Sequence, residues 1–342
     1  MGQTPYLRVD VAAMEANIAA MARQAASASL ALRPHAKTHK SPQIAARQLA
    51  AGAVGLTVAT IGEAEVFAEV CNDLFIAYPL WVDAEDGNRL RRLADRGVKL
   101  QVGCDSFAAG SNLVGLPVEV LVEVDSGHHR TGVRPDQAGA LAAELVGIGL
   151  SVAGVFTFPG HSYSPTSAGQ AAADEAAALA MAADSFRPTR LTCNRLSGGS
   201  TPSAGFTTGG VLTELRPGVY VFGDAQQIEL GTIGFDQVAL TVISRVVSHA
   251  GGRVVCDAGS KALGADRAGW ATGYGRVLDA PDARIVALSE HHATIEWPGR
   301  LPHLGSTIAI IPNHACNTVN LADEYTLSTG GTWPVAARGR NH

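Results

Sequence analysis

Cysteine is scarce in this 342-residue chain, and what there is lies scattered. Cys71, Cys104, Cys193, Cys256 and Cys316 make an odd count with no C-x-x-C among them. That spacing counts against a disulfide framework and against a zinc ribbon, and a reduced cytoplasm is the expected compartment. The first four sit in or beside apolar runs and read as small core residues. No apolar run approaches the roughly 20 residues that would span a bilayer. A formal net charge of −5 leaves no basic field for nucleic acid or an anionic membrane. The opening stretch "MGQTPYLRVDVAAMEANIAAM" has no signal-peptide apolar region. Gly2 is followed by Tyr6 where a myristoylation signal requires Ser or Thr, so lipidation is not expected.

What is present is an alternation. Short β-rich apolar runs at Leu30–Pro34, Val54–Thr60, Leu74–Tyr78, Lys99–Gly103, Val118–Val124, Val152–Phe158, Arg190–Arg195 and Glu214–Phe222 read as strands. Between them lie helical candidates such as Pro42–Ala51, Gly62–Val70, Asp136–Val146 and the alanine-rich Ala168–Ser185, after a first helix near Val11–Gln24. Eight β/α repeats imply a parallel sheet closed into a (β/α)8 TIM-type barrel, for which about 250 residues is the usual size. Beyond about Gly223 the texture changes. "VALTVISRVVSHAGGRVVCDAGS" reads as two strands about an Ala-Gly-Gly turn, and "RIVALSEHHATIEW" and "STIAIIPNHACNTVNL" as further strands without helices between them. The expected organisation is a barrel over residues 11–223 and a mainly-β domain over 224–342, joined by an amino-terminal strand within residues 1–10.

In such a barrel the chemistry gathers where strands end and loops begin. The first strand ends in "RPHAKTHK", with Lys37 and His39. The fifth ends in "VEVDSGHHRTGV", offering Asp125 and Arg130, and the sixth in "TFPGHSY", offering His161 and Tyr163. After the seventh comes "SGGSTP", in which the Gly198 and Gly199 backbone and the Ser200 and Thr201 hydroxyls suit a phosphate dianion. Cations and polar groups on one barrel face, with a phosphate loop and a lysine at separate strand ends, point to pyridoxal phosphate held by Lys37 as a Schiff base. A lysine in that role must lose its proton to attack an aldehyde, and neighbouring cations favour the loss. Arg33, His35, His39 and Lys40 supply them.

"TPYLRVD", "RPHAKTHK", "VEVDSGHHRTGV", "SGGSTP", "ELRPGVYVFGD", "DAGSKAL", "LSEHHA" and "IPNHACNTVNL" occur in this order from end to end. Together they resemble the alanine-racemase-like, fold-type III pyridoxal phosphate enzymes, in the branch holding D-serine dehydratase and D-threonine aldolase. The resemblance implies a Schiff-base role for Lys37, a place for Arg130 near the cofactor ring, and a phosphate held by Gly199, Ser200 and the Gly218–Val219–Tyr220 backbone. It makes Tyr163 a substrate- or cofactor-contacting group and His39 a further catalytic candidate. "SEHHA" departs from the family's "SEEHG", which favours His292 over His291 as the matching histidine. Oligomeric state follows from the family alone, as a homodimer.

"PNHACN" places His314 and Cys316 two apart, and in a strand both side chains would share a face. Imidazole with thiolate favours zinc, with manganese or magnesium as the other candidates. By residue type alone, a strand-end histidine beside a core cysteine is the commoner account. The resemblance implies a divalent metal at this pair. With a metal on the β-hydroxyl, the expected reaction is dehydration of a β-hydroxy-D-amino acid such as D-serine to a 2-oxo acid and ammonia. D-threonine aldolase cleavage to glycine and acetaldehyde uses the same parts; His-x-Cys favours dehydration, because the aldolases tend to carry His-x-Asp. A racemase would need a second acid/base, for which Tyr274 is the candidate, and would not need the metal pair. A non-enzymatic pyridoxal phosphate carrier would not need residues 224–342.

Overall fold

Runs of Val, Leu, Ile and Phe too short for helices, each followed by a turn and a helical stretch, form a parallel sheet covered on both sides. Its strands are Ala31–Leu32, Leu56–Val58, Asp73–Pro79, Lys99–Cys104, Val118–Glu123, Ser151–Phe156, Arg195–Gly198 and Glu214–Leu215. The structure, a computed structural model, describes residues 3–342. Whatever was expected of Met1 and Gly2, in the amino-terminal strand or as a lipidation site, lies outside them. All pairings between neighbouring strands of this sheet are parallel. The two ends of the strand order meet where His35 bridges Thr57, so the sheet curls round on itself as a barrel. Phe75, Leu121 and Phe156 form a fully buried cluster, with the Phe75 and Phe156 rings edge to face at 5.0 Å.

Two stretches differ from expectation. The seventh strand is Arg195–Gly198 rather than Arg190–Arg195, because Ser197 and Gly198 are the residues that pair with Glu214 and Leu215. The eighth is only Glu214–Leu215, and the rest of its apolar run coils into the tight turn Val219–Val221. Between Cys104 and Val118 the crossover shrinks to the five-residue helix Phe107–Ser111, capped by Ser106.

The chain divides into two compact units. One holds Ala20–Lys37, Pro42–Gly218 and Arg340–His342, and contains this barrel sheet. The other holds the residues up to Ala19, Thr38–Ser41 and Val219–Gly339. Its nine-stranded sheet is largely antiparallel, built on Leu240–Ser248. Tyr6–Val9 lies between that strand, antiparallel, and Glu324–Leu327, parallel. The expected Ala-Gly-Gly turn forms at Ala250–Gly252 between Leu240–Ser248 and Val254–Cys256. The expectation of no helices here is corrected: Ser260–Leu263 and Ala315–Val319 are short helices. The second changes the geometry of the His314–Cys316 pair.

Candidate active site

In the barrel unit, Phe158 is the hub. It sits just past the strand Ser151–Phe156, in a loop that Gly160–Tyr163 tightens into a 3-10 turn. Lys37 Nζ lies 6.0 Å from its ring centre and Arg130 Cζ 5.4 Å. The Tyr163 ring is 6.2 Å away, and the His128 ring meets it edge-on at 5.6 Å. Lys37 is half-buried in the turn Ala36–Thr38, and Arg130 is exposed. Three of the expected residues, Lys37, Arg130 and Tyr163, thus come together around one aromatic ring. A cation over an aromatic ring gains about 0.5–1 kcal/mol at exposed sites. Asp125 takes another part: its carboxylate accepts from the Gly127 and His129 amides and faces the His129 ring, which bends the loop that presents Arg130. Those bonds outweigh its partial burial and hold the carboxyl below its ordinary range.

The Gly198–Ser203 loop is built from hydroxyls. Ser200 Oγ lies 2.8 Å from both Ser162 Oγ and Ser203 Oγ, and all three serines are buried. Ser200 and Ser203 also cap each other's backbone at the start of the short helix Thr201–Ala204. The two glycines are required. A Cβ on Gly198 would stand 2.3 Å from Glu175 Oε1, and one on Gly199, whose φ is +86°, would stand 2.6 Å from Leu215 Cδ2. Contrary to a free Gly199 amide, its N–H donates to Glu175 Oε1 at 2.6 Å. Three clustered hydroxyls over a loop that tolerates no side chain fit a phosphate ester. Gly218 closes this unit's chain, and Val219 and Tyr220 open the following turn.

Beneath the loop lies buried charge that the sequence did not announce. Arg216 stacks on Phe75 and Phe156, at 5.4 and 5.3 Å, and donates to the Thr157 carbonyl. Burial pushes its pKa down, against Glu214, Glu175 and Glu123. Arg33 pairs with Glu214 at 2.7 Å and with Asp73 at 2.6 Å, and Ser197 donates to the other oxygen of Glu214. So Arg33, counted among the cations around Lys37, is committed to a buried ion pair.

In the β unit, the strand Thr307–Pro312 ends, Asn313 follows, and His314 stands at the N-cap of Ala315–Val319. His314 and Cys316 are therefore not two strand residues on one face; they sit at the start of a helix, an extended residue and one in the first turn. They still meet. Although burial opposes a charged imidazole, the Cys316 sulfur beside it, with Asp224 and Asp266, pushes His314 up to about 10. Cys316 Sγ lies 3.3 Å from Thr38 Oγ1, and Thr38 is the next residue after Lys37. Asp224 is fully buried, accepts from the Gln227 and Ala315 amides, and lies 3.9 Å from His314 Nδ1. Asp266 Oδ1 and Asn313 Oδ1 are buried with no hydrogen-bond partner. An imidazole, a thiol and orphaned buried oxygens form a donor set that fits a divalent cation. Among the described residues no three His, Cys, Asp or Glu side chains converge as a complete cage.

The remaining expected residues are placed otherwise. His39 is fully buried; its Nδ1 accepts from the Ser41 amide and its carbonyl from the Tyr325 hydroxyl. His161 faces Asp174 at 3.2 Å. His291 and His292 lie exposed between the strands Arg284–Leu288 and Ala293–Glu296. The Tyr274 ring is covered by Arg267 at 5.3 Å.

Comparison with known proteins bears on the family and the fold. Residues 9–226 match the alanine racemase N-terminal domain, and 239–328 a putative serine dehydratase domain. D-threo-3-hydroxyaspartate dehydratase of Delftia sp. is 35% identical over 92% of this chain and 91% of its own. Its solved structure superposes with a TM-score of 0.89, at 32% identity over 98% of this chain and 97% of that one. D-threonine aldolase of Arthrobacter sp. is 33% identical over 98% of this chain and 93% of its own. D-serine dehydratase of Dictyostelium discoideum is 28% identical over 94% and 92%. With both of its sheets accounted for by these matches, the chain belongs to the D-serine dehydratase and D-threonine aldolase family of alanine-racemase-like, fold-type III pyridoxal phosphate enzymes.

Proposed function

We propose that this chain is a pyridoxal phosphate- and divalent-metal-dependent lyase of β-hydroxy-D-amino acids, of the D-serine dehydratase type. The observation that carries the reading is the His314–Cys316 pair, whose imidazole and sulfur are electrostatically coupled at one helix start. Solved variants of D-threo-3-hydroxyaspartate dehydratase replace a histidine and a cysteine two positions apart, the cysteine variant in a metal-free form. That is the spacing of His314 and Cys316. A thiolate–imidazole set favours zinc over manganese or magnesium.

Lys37 would hold the cofactor through Nζ, with Arg130 beside its ring and Tyr163 on the same aromatic cluster. Ser200, with the backbone of Gly218, Val219 and Tyr220, would take its phosphate, and Gly199 shapes the turn. In this assignment residues 11–223 carry the cofactor, and 224–342 with the strand in 1–10 carry the metal. When bound, the cofactor supplies an electron sink that acidifies the α-carbon, and the metal supplies a Lewis acid for the β-hydroxyl. The chain's own residues do the rest. Lys37 Nζ takes the proton from Cα. His314 and Cys316, as ligands of that metal, would orient the β-oxygen, which leaves as water with the proton that Lys37 took up. Hydrolysis of the imine left behind releases ammonia and the 2-oxo acid. Tyr163 and Arg130 line the pocket, and buried His39 positions the turn after Lys37 from its bonds to Ser41 and Tyr325. We take the assembly to be a cytoplasmic homodimer, which sedimentation and fractionation would check.

The test is product analysis of the metal-loaded holoenzyme with D-serine, D-threonine and D-threo-3-hydroxyaspartate, and with L-serine as the control. Pyruvate, 2-oxobutyrate or oxaloacetate with ammonia, from D-substrates only, is the expected result. Glycine with acetaldehyde would move the assignment to an aldolase; racemisation without either product would overturn the lyase. Borohydride reduction and peptide mapping should place the cofactor on Lys37, and a label on Lys40 or Lys261 would refute that anchor.

A further inference from the structure

The helix Ala168–Phe186 is alanine-rich and needs no acidic residue on its buried face, yet Glu175 lies there with no exposure at all. Its Oε1 accepts the Gly199 N–H at 2.6 Å, while the carbonyl at the other end of the same peptide, that of Gly198, accepts the Arg216 N–H at 2.8 Å. The peptide joining the two glycines is therefore pinned at both ends. The carboxyl comes so close that any side chain at Gly198 would strike it. Its second oxygen, Oε2, is buried with no hydrogen-bond partner. A carboxylate in such a place is costly, because an uncompensated buried acceptor loses its hydration.

We propose that Glu175 is the positioning residue of the Gly198–Ser203 loop, and that this loop takes up a phosphate dianion together with a proton on Glu175. The proposal rests on the phosphate reading above. Its logic is electrostatic. A dianion seated on Ser200 would lie across one peptide from a second negative charge in a medium that screens poorly. Once protonated, the carboxyl still accepts from Gly199, so the loop keeps its shape while the repulsion is lost. The charge that reaches Glu175 is that of Arg216, itself buried and shared with Glu214 and Glu123. The elements against its helix carry Glu144, Asp136, His161, Tyr163, Arg187 and Arg195, and on its own helix Asp174 is turned to His161 and Asp184 to Arg187. None of these supplies a cation at Glu175. Burial, only partly offset by the Gly199 bond and Arg216, brings the group to about 7, where it can change state under ordinary conditions.

The experiment is calorimetric titration of the apoprotein with pyridoxine 5′-phosphate, whose alcohol cannot condense with Lys37, in two buffers of different ionisation enthalpy. Pyridoxine without phosphate is the control ligand. Above about pH 7, wild type should take up close to one proton per phosphate ligand bound, and its affinity should fall by up to about tenfold per pH unit. Glu175→Gln, which keeps the acceptor and removes the charge, should bind with that uptake abolished and the pH dependence flattened. Pyridoxine should show no uptake in either protein. Phosphate-ligand binding by wild type without proton uptake would overturn the proposal even if the variant failed to fold. Unchanged uptake in Glu175→Gln would overturn it as well. Absence of any phosphate-dependent binding would overturn both this proposal and the cofactor reading, whereas tight binding without linkage would overturn this proposal alone.

Discussion

The loop at Gly198–Ser203 and the corner at Asn313–Cys316 solve opposite problems. In the loop the two amides already have protein partners, Gly199 with Glu175 and Ser200 with Ser203, while the three hydroxyls share two hydrogen bonds, so their own contacts do not use up all three O–H donors. At the corner, buried acceptors are left over. Asp266 Oδ1 and Asn313 Oδ1 are buried without partners, and Asp224 faces the imidazole. The loop is thus held in shape by its own bonds and can present a neutral hydroxyl surface to an anion. The corner accumulates negative and lone-pair character that a cation would relieve. Preorganisation for an anion is achieved with hydroxyls held in place by one another, and for a cation with acceptors left open.

The two regions should come apart under mutation, and the largest effect belongs to the corner. Cys316→Ala should lose bound metal and at least about 10²-fold in D-serine turnover, the scale of several kcal/mol of Lewis-acid stabilisation. Its visible cofactor absorption should persist. Full metal content by elemental analysis, with full activity, would make Cys316 a packing residue. Ser200→Ala should do the reverse. Metal content stays, while cofactor affinity drops by roughly 10- to 100-fold, as expected for losing a hydrogen bond to a charged group worth about 1.5–3 kcal/mol. Equilibrium dialysis of each variant against both ligands reads the dissociation directly. If either variant loses both ligands together, the comparison fails.

The third effect is on stability and concerns Glu175. Its carboxyl titrates at about 7 in the folded protein against an ordinary 4.5. The folded state therefore binds more protons than the unfolded state between those values. Stability falls as pH rises through that window and is level above it. Glu175→Gln escapes the loss. Relative to the wild-type apoprotein it should gain up to about 3 kcal/mol between pH 4.5 and above 7, read by urea unfolding at a series of pH values. A constant difference between the two proteins would place the carboxyl in an ordinary environment.

The legible part of this molecule was what the chain announces locally. Eight apolar runs with helices between them implied the barrel, and a lysine among cations at a strand end drew attention to Lys37. The loop residues Gly198–Ser200 were legible as a turn with hydroxyls, but not the direction of the Gly199 amide, because that depends on an acid 24 positions away in sequence. His314 and Cys316 were legible as a pair for a reason that did not hold. Alternation in a strand was the expected cause, and a helix start after Asn313 brings them together instead. Phe158 and Glu175 gave no signal, one being a phenylalanine in an apolar run and the other an acid in a helix of alanines. Only the fold shows that Lys37, Arg130 and Tyr163 share the first, and that the second lies under a glycine loop. Arg33 shows the converse, a cation within the basic cluster that Glu214 and Asp73 withdraw into the interior.

The strand Tyr6–Val9 has a consequence for biosynthesis. Its hydrogen-bonding edges are satisfied by Leu240–Ser248 on one side and Glu324–Leu327 on the other. On the ribosome it emerges long before either. At roughly 5–20 residues per second, the first partner follows only after something between about ten seconds and the better part of a minute. Through that interval the barrel strands are being made and can find their neighbours, while this strand has none. Two bare edges on an apolar strand are an invitation to pair with another nascent chain. The nine-stranded sheet is therefore completed late, by capturing a segment that was made long before its partners.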